Sequence, residues 1–335
     1  MAVALFGLSF LGRPLITPLL AKADTDPTSA KRDDSLMIIG ASGASIYVEQ
    51  LGSPEALPMI LVHGWAMDST IWFYAKRDLS RSFRVICWDL PGMGRSAPAT
   101  PSAIGLSEFA QDLKSVIGLA GVRKVILVGH SIGGMTIQTL ARDDPAFFNA
   151  HVAGTVLVNT TYTNPLKTMI VSGLAHAIRW PLLEPLMRLG ILLQPLVWLS
   201  SWQSYLSGTA HMANRLGFGK HVTRSQLEHT TLLSTRNSPG NIDRGNLAMF
   251  RWDATKAMVG ISSPVLVLAG DLDIVTKPEA GQAIAADHSR GIFTVIEGVN
   301  HMGFLERHAI YNAAIATFAT TAHAEALMPS PSAGA

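Results

Sequence analysis

Three side chains of this 335-residue chain could perform nucleophilic catalysis together: Ser131, Asp273 and His301. A serine hydroxyl becomes a nucleophile when a histidine takes its proton, and a carboxylate holds that histidine in the tautomer that accepts it. Each of the three follows a run of apolar residues, which is typical of a buried strand. The carboxyl ends of strands are where open α/β sheets place their sites. The sequence therefore predicts a Ser-Asp-His site at one edge of a sheet.

The serine lies in a G-x-S-x-G pattern, G-H-S-I-G at residues 129–133. Residues 125–128 are apolar and predict a strand, and the residues after the pattern predict a helix. In this strand–turn–helix context the serine hydroxyl is exposed on a sharp turn, and glycines leave room where strand and helix meet. The helix N-terminus offers unpaired N–H groups to a developing oxyanion.

Two further segments carry recognisable motifs. Residues 59–65 read M-I-L-V-H-G-W, a strand that enters a His-Gly turn, and residues 89–96 read D-L-P-G-M-G-R-S. With the serine turn and the order Ser, Asp, His, these motifs resemble the α/β-hydrolase superfamily over residues 36–320. Within it, the chain looks most like serine esterases and monoacylglycerol lipases that carry a helical cap.

The resemblance implies a fold and a role for each site residue. The fold would be an α/β-hydrolase fold: a mostly parallel, doubly wound sheet with helices on both faces and an inserted helical cap. Ser131 would be the nucleophile and His301 the base. The acid would be Asp273, three residues after Gly270, with Asp271 a turn former. The backbone N–H groups of Trp65 and Ile132 would form the oxyanion hole.

Apolar runs alternate with helix-length segments from about residue 36, which predicts one α/β domain with an insertion. Strands are predicted at residues 45–51, 59–63, 83–89, 124–128, 154–159, 264–269 and 292–296, and helices at 106–120, 133–142, 278–286 and 309–320. The chain divides into an apolar N-terminal segment with a polar linker (1–34), the core (35–161), a cap insertion (162–252), the rest of the core (253–322) and a disordered tail (323–335).

The predicted cap breaks the alternation, because it holds helical apolar stretches interrupted by prolines. We expect leucines, methionines and tryptophans of residues 166–202 to form an apolar wall over Ser131. A membrane span is not predicted there, since Glu184, Arg188 and the prolines interrupt the apolar run.

Residues 1–20 are almost wholly apolar, and residues 21–23 (A-K-A) fit a small-x-small cleavage pattern. No basic residue precedes the apolar run, however, and Arg13 interrupts it. Three interpretations stay open: a cleaved signal, a peripheral membrane contact through residues 1–20, or a loosely packed extension. Membrane association or export is favoured over a cytoplasmic location. We expect the core to fold and function without residues 1–34.

Composition excludes several function classes. The net charge is +2 with no basic block, which gives no electrostatic case for nucleic-acid binding. No phosphate-binding glycine loop, dinucleotide motif or metal-spaced histidine pair is present, so neither a cofactor nor a metal is predicted. Cys87 is the one cysteine and lies in a predicted strand, where a buried, inert thiol is expected.

The Ser131, Asp273 and His301 motifs, the family resemblance and the apolar cap segment together predict hydrolysis of carboxylic esters with a hydrophobic acyl or alcohol part. Serine at 131 argues against epoxide hydrolases and haloalkane dehalogenases of this fold, which need a carboxylate nucleophile. Three serine-based alternatives stay open: C–C bond hydrolysis, cofactor-free perhydrolysis and acyl transfer. A ligand-binding relative without turnover is the alternative of another class. The oligomeric state is not predicted.

Overall fold

A computed structural model describes residues 7, 9–33 and 35–327 of the chain. Its centre is an eight-stranded sheet of order β1-β2-β4-β3-β5-β6-β7-β8, in which β1, β2 and β4 pair antiparallel and the remaining pairs are parallel. The strands are β1 (Ser35–Ile39), β2 (Ser45–Leu51), β3 (Leu57–Val62), β4 (Phe83–Trp88), β5 (Val125–His130), β6 (Val152–Val158), β7 (Val265–Gly270) and β8 (Gly291–Ile296).

Helices cover both faces of this sheet. They are α1 (Arg13–Leu20), α2 (Phe73–Leu79), α3 (Leu106–Gly118), α4 (Ile132–Asp143), α5 (Pro145–His151), α6 (Pro165–Thr168), α7 (Ser172–Ile178), α8 (Glu184–Leu192), α9 (Gln194–Ser207), α10 (Thr209–Arg215), α11 (Arg224–Arg236), α12 (Pro239–Met249), α13 (Pro278–Ala286), α14 (Gly303–Glu306) and α15 (His308–Leu327). A π-helical turn, Arg179–Leu183, joins α7 to α8. The predicted mostly parallel α/β-hydrolase fold is confirmed.

The central strands are buried on both faces, which explains their continuous apolar runs. Along β3, Ile60 and Val62 pack under α3 and α4, whereas Met59 and Leu61 pack on the side of α2 and α15. All four side chains are fully buried. This period of two gives the molecule one core layer on each side of the sheet.

The register brings the carboxyl ends of four neighbouring strands together. His130 at the end of β5 pairs with Val158 of β6, and Val158 pairs with Leu268 of β7. At the next strand, Gly270 pairs with Ile296 at the end of β8. The loops that follow these strands therefore emerge side by side, which is the geometric requirement for a site shared between them.

Helices α6 to α12 form an insertion between β6 and β7 (residues 165–249, the helical insertion). Several large apolar side chains of the predicted wall face outward, although others in the insertion, such as Leu166 and Phe218, are buried. Trp180, Leu189, Leu192, Trp198 and Leu199 are exposed, so they do not line a closed wall over Ser131. Among the described residues no single helix could cross a membrane; only Ser172–Leu192 and Gln194–Ser207 together are apolar and long enough, and they are bent by 100°.

The expectation of a free linker before the core was wrong for residues 24–33, which we call the N-terminal strap. Arg32 lies in the structure with its side chain only 13% exposed and pairs with Asp68 (2.8 Å), Asp89 (3.1 Å) and Glu49 (3.4 Å). The polar composition of the segment suggested a linker. Composition alone does not show that Arg32 neutralises carboxylates that other segments bury. The strap is part of the folded core.

The strap also joins the core to the helical insertion. The Thr28 hydroxyl hydrogen-bonds Nδ1 of His229 on α11 (2.9 Å), and Nε2 of that ring hydrogen-bonds the Thr70 hydroxyl of the core (2.9 Å). Asp26 pairs with Arg77 of α2 at 2.8 Å. The folded contacts of the core therefore begin before residue 35, and the strap contributes to them.

The predicted disordered tail begins too early. Helix α15 continues to Leu327, and Ala322 is buried against the sheet. Helix-forming alanines in residues 322–327 explain the continuation. Residues 328–335 of the predicted tail lie outside the described residues.

Candidate active site

Ser131 occupies a strained turn between β5 and α4. Its backbone has φ 52° and ψ −117°, a left-handed conformation that a residue with a side chain rarely adopts. Its N–H donates to Val158 O (3.0 Å), and the Thr160 hydroxyl donates to Ser131 O (2.7 Å). These bonds clamp both sides of the turn and hold the serine at the helix N-terminus.

The glycines around Ser131 are required by close packing. A Cβ on Gly129 would lie 2.6 Å from the backbone of Gly133, and a Cβ on Gly134 would lie 2.7 Å from the Thr160 hydroxyl. A Cβ on Gly133 itself would overlap the Val62 carbonyl at the end of β3. The turn therefore needs glycine where strand, helix and the neighbouring strand converge.

Asp273 and His301 are in direct contact. His301 Nδ1 lies 3.0 Å from Asp273 Oδ2, and both side chains are buried. Burial alone would raise the pKa of the carboxyl, but the His301 ring and hydrogen-bond donors more than offset it and hold the pKa at about 2. The ionised carboxylate only accepts hydrogen bonds, so Nδ1 carries the ring proton and Nε2 is left as the basic nitrogen.

Asp273 is held by residues that the sequence did not single out. Its Oδ2 accepts from Asn159 Nδ2 and from the Thr276 hydroxyl, both at 2.8 Å. Tyr311 donates its hydroxyl proton to Asn159 Oδ1 (3.1 Å), which turns the amide so that its NH2 faces the carboxylate. Asn159 could have been suspected only from its place just after strand β6, and Tyr311 lies in a helix without any motif.

The backbone of His301 is fixed from two sides. His130 Nε2 donates to His301 O (3.0 Å), and the two rings lie 4.8 Å apart. Asn300 Oδ1 accepts from His301 N (2.8 Å) and from Ile274 N (3.0 Å), which ties the histidine loop to the aspartate loop. Burial, reinforced by the neighbouring His301, lowers the pKa of His130 and keeps it neutral.

The structure thus gathers the predicted serine, aspartate and histidine at one edge of the sheet. Among the described residues, Ser131 Oγ has no hydrogen bond to His301. The Asp273–His301 pair is formed, and Ser131 lies in the neighbouring turn after β5.

Two backbone amides in the turns that follow β3 and β5 are unpaired among the described residues. Neither Trp65 N nor Ile132 N donates to any described residue. Ile132 is the first residue of α4, where helical N–H groups have no partner within the helix. The turn that carries Trp65 packs closely on β5, since a Cβ on Gly64 would lie 2.5 Å from His130 Nδ1.

His63 sets the direction of the Trp65 amide. Leu90 N donates to His63 Nε2 (2.9 Å), so the ring proton is on Nδ1, which donates to Gly64 O (2.7 Å). Burial lowers the pKa of His63 and favours this neutral form. Gly64 C=O and Trp65 N–H belong to one trans peptide and point in opposite directions. Holding the carbonyl toward His63 therefore turns the Trp65 N–H away from it.

The Trp65 side chain links this turn to the helical insertion. Its indole Nε1 donates to Ile242 O of α12 (3.0 Å), and a Cβ on Gly245 of α12 would overlap the indole ring. Helix α12 therefore meets the candidate site at the Trp65 turn. The predicted segment 166–202 meets it at the aspartate loop, where Ile170 N donates to Ile274 O (2.9 Å) and Lys277 N donates to Thr168 O (3.2 Å).

Other candidate residues have structural positions. Asp271 is exposed and its Oδ1 accepts from Val299 N (3.2 Å), as a turn former does. Asp89 fixes its loop by accepting from Ser69 N (2.7 Å) and Arg95 N (2.8 Å). Cys87 is buried, as predicted, and burial raises the pKa of its thiol. Within residues 9–33 and 35–327, no three metal-ligating side chains come together.

Proteins similar in sequence to this chain include esterases and hydrolases. A pimeloyl-[acyl-carrier protein] methyl ester esterase from Nitrosospira multiformis is 26% identical over 278 residues, 82% of this chain and 98% of that protein. A putative carbamate hydrolase from Klebsiella pneumoniae is 24% identical over 240 residues, 70% of this chain and 80% of that protein.

Solved structures and a family model agree with the observed fold. The structure of an esterase from Exiguobacterium antarcticum superimposes with a TM-score of 0.68 at 21% identity, covering 86% of this chain and all of that one. The model of the alpha/beta hydrolase family matches residues 59–314, from the strand that precedes His63 into the helix that follows His301. The match covers most of the chain and includes Ser131, Asp273 and His301. The chain therefore belongs to the alpha/beta hydrolase family.

Proposed function

We propose that the protein is a serine hydrolase that cleaves carboxylic esters with a hydrophobic acyl or alcohol part. The observation that carries the proposal is the buried Asp273–His301 hydrogen bond beside a serine on a strained turn. The methyl ester esterase from Nitrosospira multiformis supports ester hydrolysis, because its similarity extends over nearly its whole length. A ligand-binding role would leave the ionised Asp273 and the tautomer of His301 without a use.

In the proposed first step, Ser131 Oγ attacks the ester carbonyl carbon while His301 Nε2 takes the hydroxyl proton. Asp273 stays ionised and stabilises the imidazolium that forms. The carbonyl oxygen becomes an oxyanion, and the N–H groups of Trp65 and Ile132 donate to it. Donors of this type stabilise the transition state by about 3 kcal/mol each.

In the second half of the reaction, the proton on His301 passes to the leaving alcohol, and the acyl group stays on Ser131. A water molecule then gives a proton to His301 and attacks the acyl carbon, which releases the acid and restores the serine hydroxyl. Every group returns to its starting protonation state, so the chain's own residues suffice for ester hydrolysis.

A fluorophosphonate probe and an ester series would test this proposal. The probe should label Ser131, identified by mass spectrometry of the peptide, and Ser131→Ala should remove both labelling and hydrolysis of p-nitrophenyl esters. Ser107→Ala, an exposed serine on α3, is the matched control and should keep both. A folded Ser131→Ala protein with near wild-type turnover would overturn the proposal.

The acyl length series tests the hydrophobic part of the proposal. Each buried methylene is worth about 0.8 kcal/mol, so kcat/KM should rise about fourfold per added carbon until the site is full. The rise should lie mainly in KM if the tail binds equally in ground and transition states. Strict preference for acetyl esters would contradict a hydrophobic acyl site. Addition of hydrogen peroxide or an alcohol would reveal perhydrolysis or acyl transfer as the dominant reaction.

A further inference from the structure

Helix α1 is amphipathic, but it turns its polar side to the protein and its apolar side outward. Its polar side faces the protein, where the Arg13 guanidinium donates to the Tyr205 hydroxyl (2.6 Å) and Thr17 is buried. Its leucines face outward: Leu11, just before the helix, Leu15 and Leu19 are 69%, 63% and 84% exposed. A spacing of four residues places the three on one face. A soluble surface helix has the opposite arrangement.

Helix α8 of the helical insertion shows the same inversion. Its one acidic residue, Glu184, is buried and pairs with Arg179 (2.9 Å) and Arg251 (2.8 Å). Leu186 and Leu189 on the outer side are exposed instead. The helix therefore buries its carboxylate against the protein and presents leucines outward, beside the exposed Arg188.

The turn between α8 and α9 forms an apolar corner. The two helices are bent by 100°, and Leu192, Leu196 and Leu199 around the bend are 76%, 64% and 68% exposed. Together with the leucines of α1 and α8 they form what we call the leucine face: Leu11, Leu15, Leu19, Leu186, Leu189, Leu192, Leu196 and Leu199.

Cations outnumber carboxylates around the leucine face. In residues 1–23 and 165–227 the only acidic residue is the buried Glu184. Lys22, Lys167 and Arg188 are exposed in the same segments. Two further carboxylates lie close by: Glu228 pairs with Arg13 (3.4 Å), and Asp243 lies against Gly190 of α8. An apolar surface with a surplus of exposed cations complements the headgroups and acyl chains of an anionic lipid layer. The same face of a second copy would carry the same cations and repel it.

We propose that the leucine face docks on the surface of a lipid bilayer and inserts its leucines into one leaflet. Large exposed apolar surfaces mark interaction sites, and exposed leucines beside the exposed Lys22 and Arg188 fit a lipid surface. The contact goes beyond residues 1–20, because α8 and α9 of the helical insertion supply most of it. It holds independently of the proposed ester hydrolysis.

Docking would place the membrane next to the candidate site. Helix α8 lies directly on α12, since a Cβ on Gly190 would overlap the Asp243 carboxylate. Helix α12 in turn contacts the Trp65 indole through Ile242 and Gly245. One layer of helix therefore separates the leucine face from the turn that carries the Trp65 amide.

Vesicle flotation of the full-length protein tests the proposal. The probe is a vesicle of phosphatidylcholine with about one fifth phosphatidylglycerol, compared with phosphatidylcholine alone. The test variant is Leu15→Gln/Leu192→Gln/Leu199→Gln, and the matched control is Ile39→Gln/Val122→Gln/Val259→Gln, three exposed apolar residues elsewhere. Thermal unfolding and hydrolysis of a water-soluble ester check that each variant is folded.

The wild-type protein and the control should float with the mixed vesicles, and the test variant should lose about tenfold or more in partitioning. Partitioning should be weaker on phosphatidylcholine alone and should fall with added salt. A wild-type protein that stays with the soluble fraction, or equal loss in control and test variant, would overturn the proposal. So would a dimer in light scattering that the test variant dissociates while neither protein floats, because the leucine face would then join two copies.

Discussion

The loops at the carboxyl ends of β5, β7 and β8 and the helices α8 and α9 treat polar groups differently. At the strand ends, both carboxylate oxygens of Asp273 have partners at hydrogen-bond distance, and the partners come from several loops. In α8 the paired charge of Glu184 is hidden and the leucines are outside. The strand-end loops hold the Asp273 carboxylate in a fixed position. Helices α8 and α9 present an apolar surface, as the proposed contact with lipid requires. Both regions bury a carboxylate. Burying Asp273 fixes the position of His301, whereas burying Glu184 leaves the leucines of α8 on the surface.

The largest effect is expected at Asp273, the acid of the candidate site. Asp273→Asn should lower kcat by about 10⁴, because an amide cannot hold His301 in the tautomer with a basic Nε2. Asp271→Asn, two residues away and exposed, should change kcat less than threefold. Steady-state kinetics on one p-nitrophenyl ester with matched folded proteins would decide between them. A larger loss for Asp271→Asn would assign the acid to the other aspartate.

The second test removes the counter-charge that the N-terminal strap brings to the core. Arg32→Leu leaves Asp68 and Asp89 as buried carboxylates without their cation, and should lower the free energy of unfolding by about 3–5 kcal/mol. Lys31→Leu, whose side chain is 74% exposed, is the control and should change it by less than about 1 kcal/mol. Urea unfolding measures both, and equal stability of the two variants would show that the strap is dispensable.

The third test uses the histidine that joins strap, core and helical insertion. Burial lowers the pKa of His229 to about 4, with Lys76 and Arg236 acting in the same direction and Asp68 opposing them. Because the unfolded histidine binds its proton near pH 6.5, the folded state loses stability as pH falls from about 6.5 to about 4, by about 3 kcal/mol. Below pH 4 this loss should level off.

His229→Gln should remove that pH-dependent loss, although the variant starts from a lower stability at pH 7. The control is His176→Gln, an exposed histidine of α7, which should keep the wild-type pH profile. Urea unfolding at several pH values between 7 and 4 gives the three curves. If wild type and His229→Gln ran parallel, the linkage would lie in other groups.

The smallest expected effect tests the contact between the two regions. Gly245→Ala places a methyl group into the Trp65 indole, so the turn that carries the Trp65 amide should shift and kcat/KM should fall about tenfold. Gly118→Ala on α3, where a Cβ meets nothing within 4 Å, should keep full activity and gain slight stability. Unchanged kinetics in Gly245→Ala would show that the contact between α12 and Trp65 does not affect the reaction.

Much of the core could be predicted because its signals are local. The Gly-x-Ser-x-Gly turn carries strand, strained serine and helix within a dozen residues, and the mostly parallel sheet follows from the alternation of elements. Asn159 and Tyr311 could not be predicted as supports of Asp273, since only the register of β6 and the packing of α15 bring them there. Their sequence surroundings carry no motif.

The segments outside the core were interpreted less well for a physical reason. Residues 24–33 have the composition of a linker, and only the buried carboxylates of other segments reveal what Arg32 does. The leucines of α8 and α9 suggested an apolar wall because sequence alone does not give the direction in which a helix turns its apolar side. Amphipathicity predicts two faces, but the tertiary structure decides which one meets the protein.

The N-terminal strap has a consequence for the order in which the molecule is completed. The Thr28–His229 hydrogen bond joins residues 201 positions apart. At a synthesis rate of about 5–20 residues per second, roughly 10 to 40 s pass on the ribosome before the second partner exists. Arg32 meets Asp68 and Asp89 early, whereas the strap's anchor on α11 forms late. One of the first segments to be made is thus among the last to be secured, and folding of this end must wait for the second half of the chain.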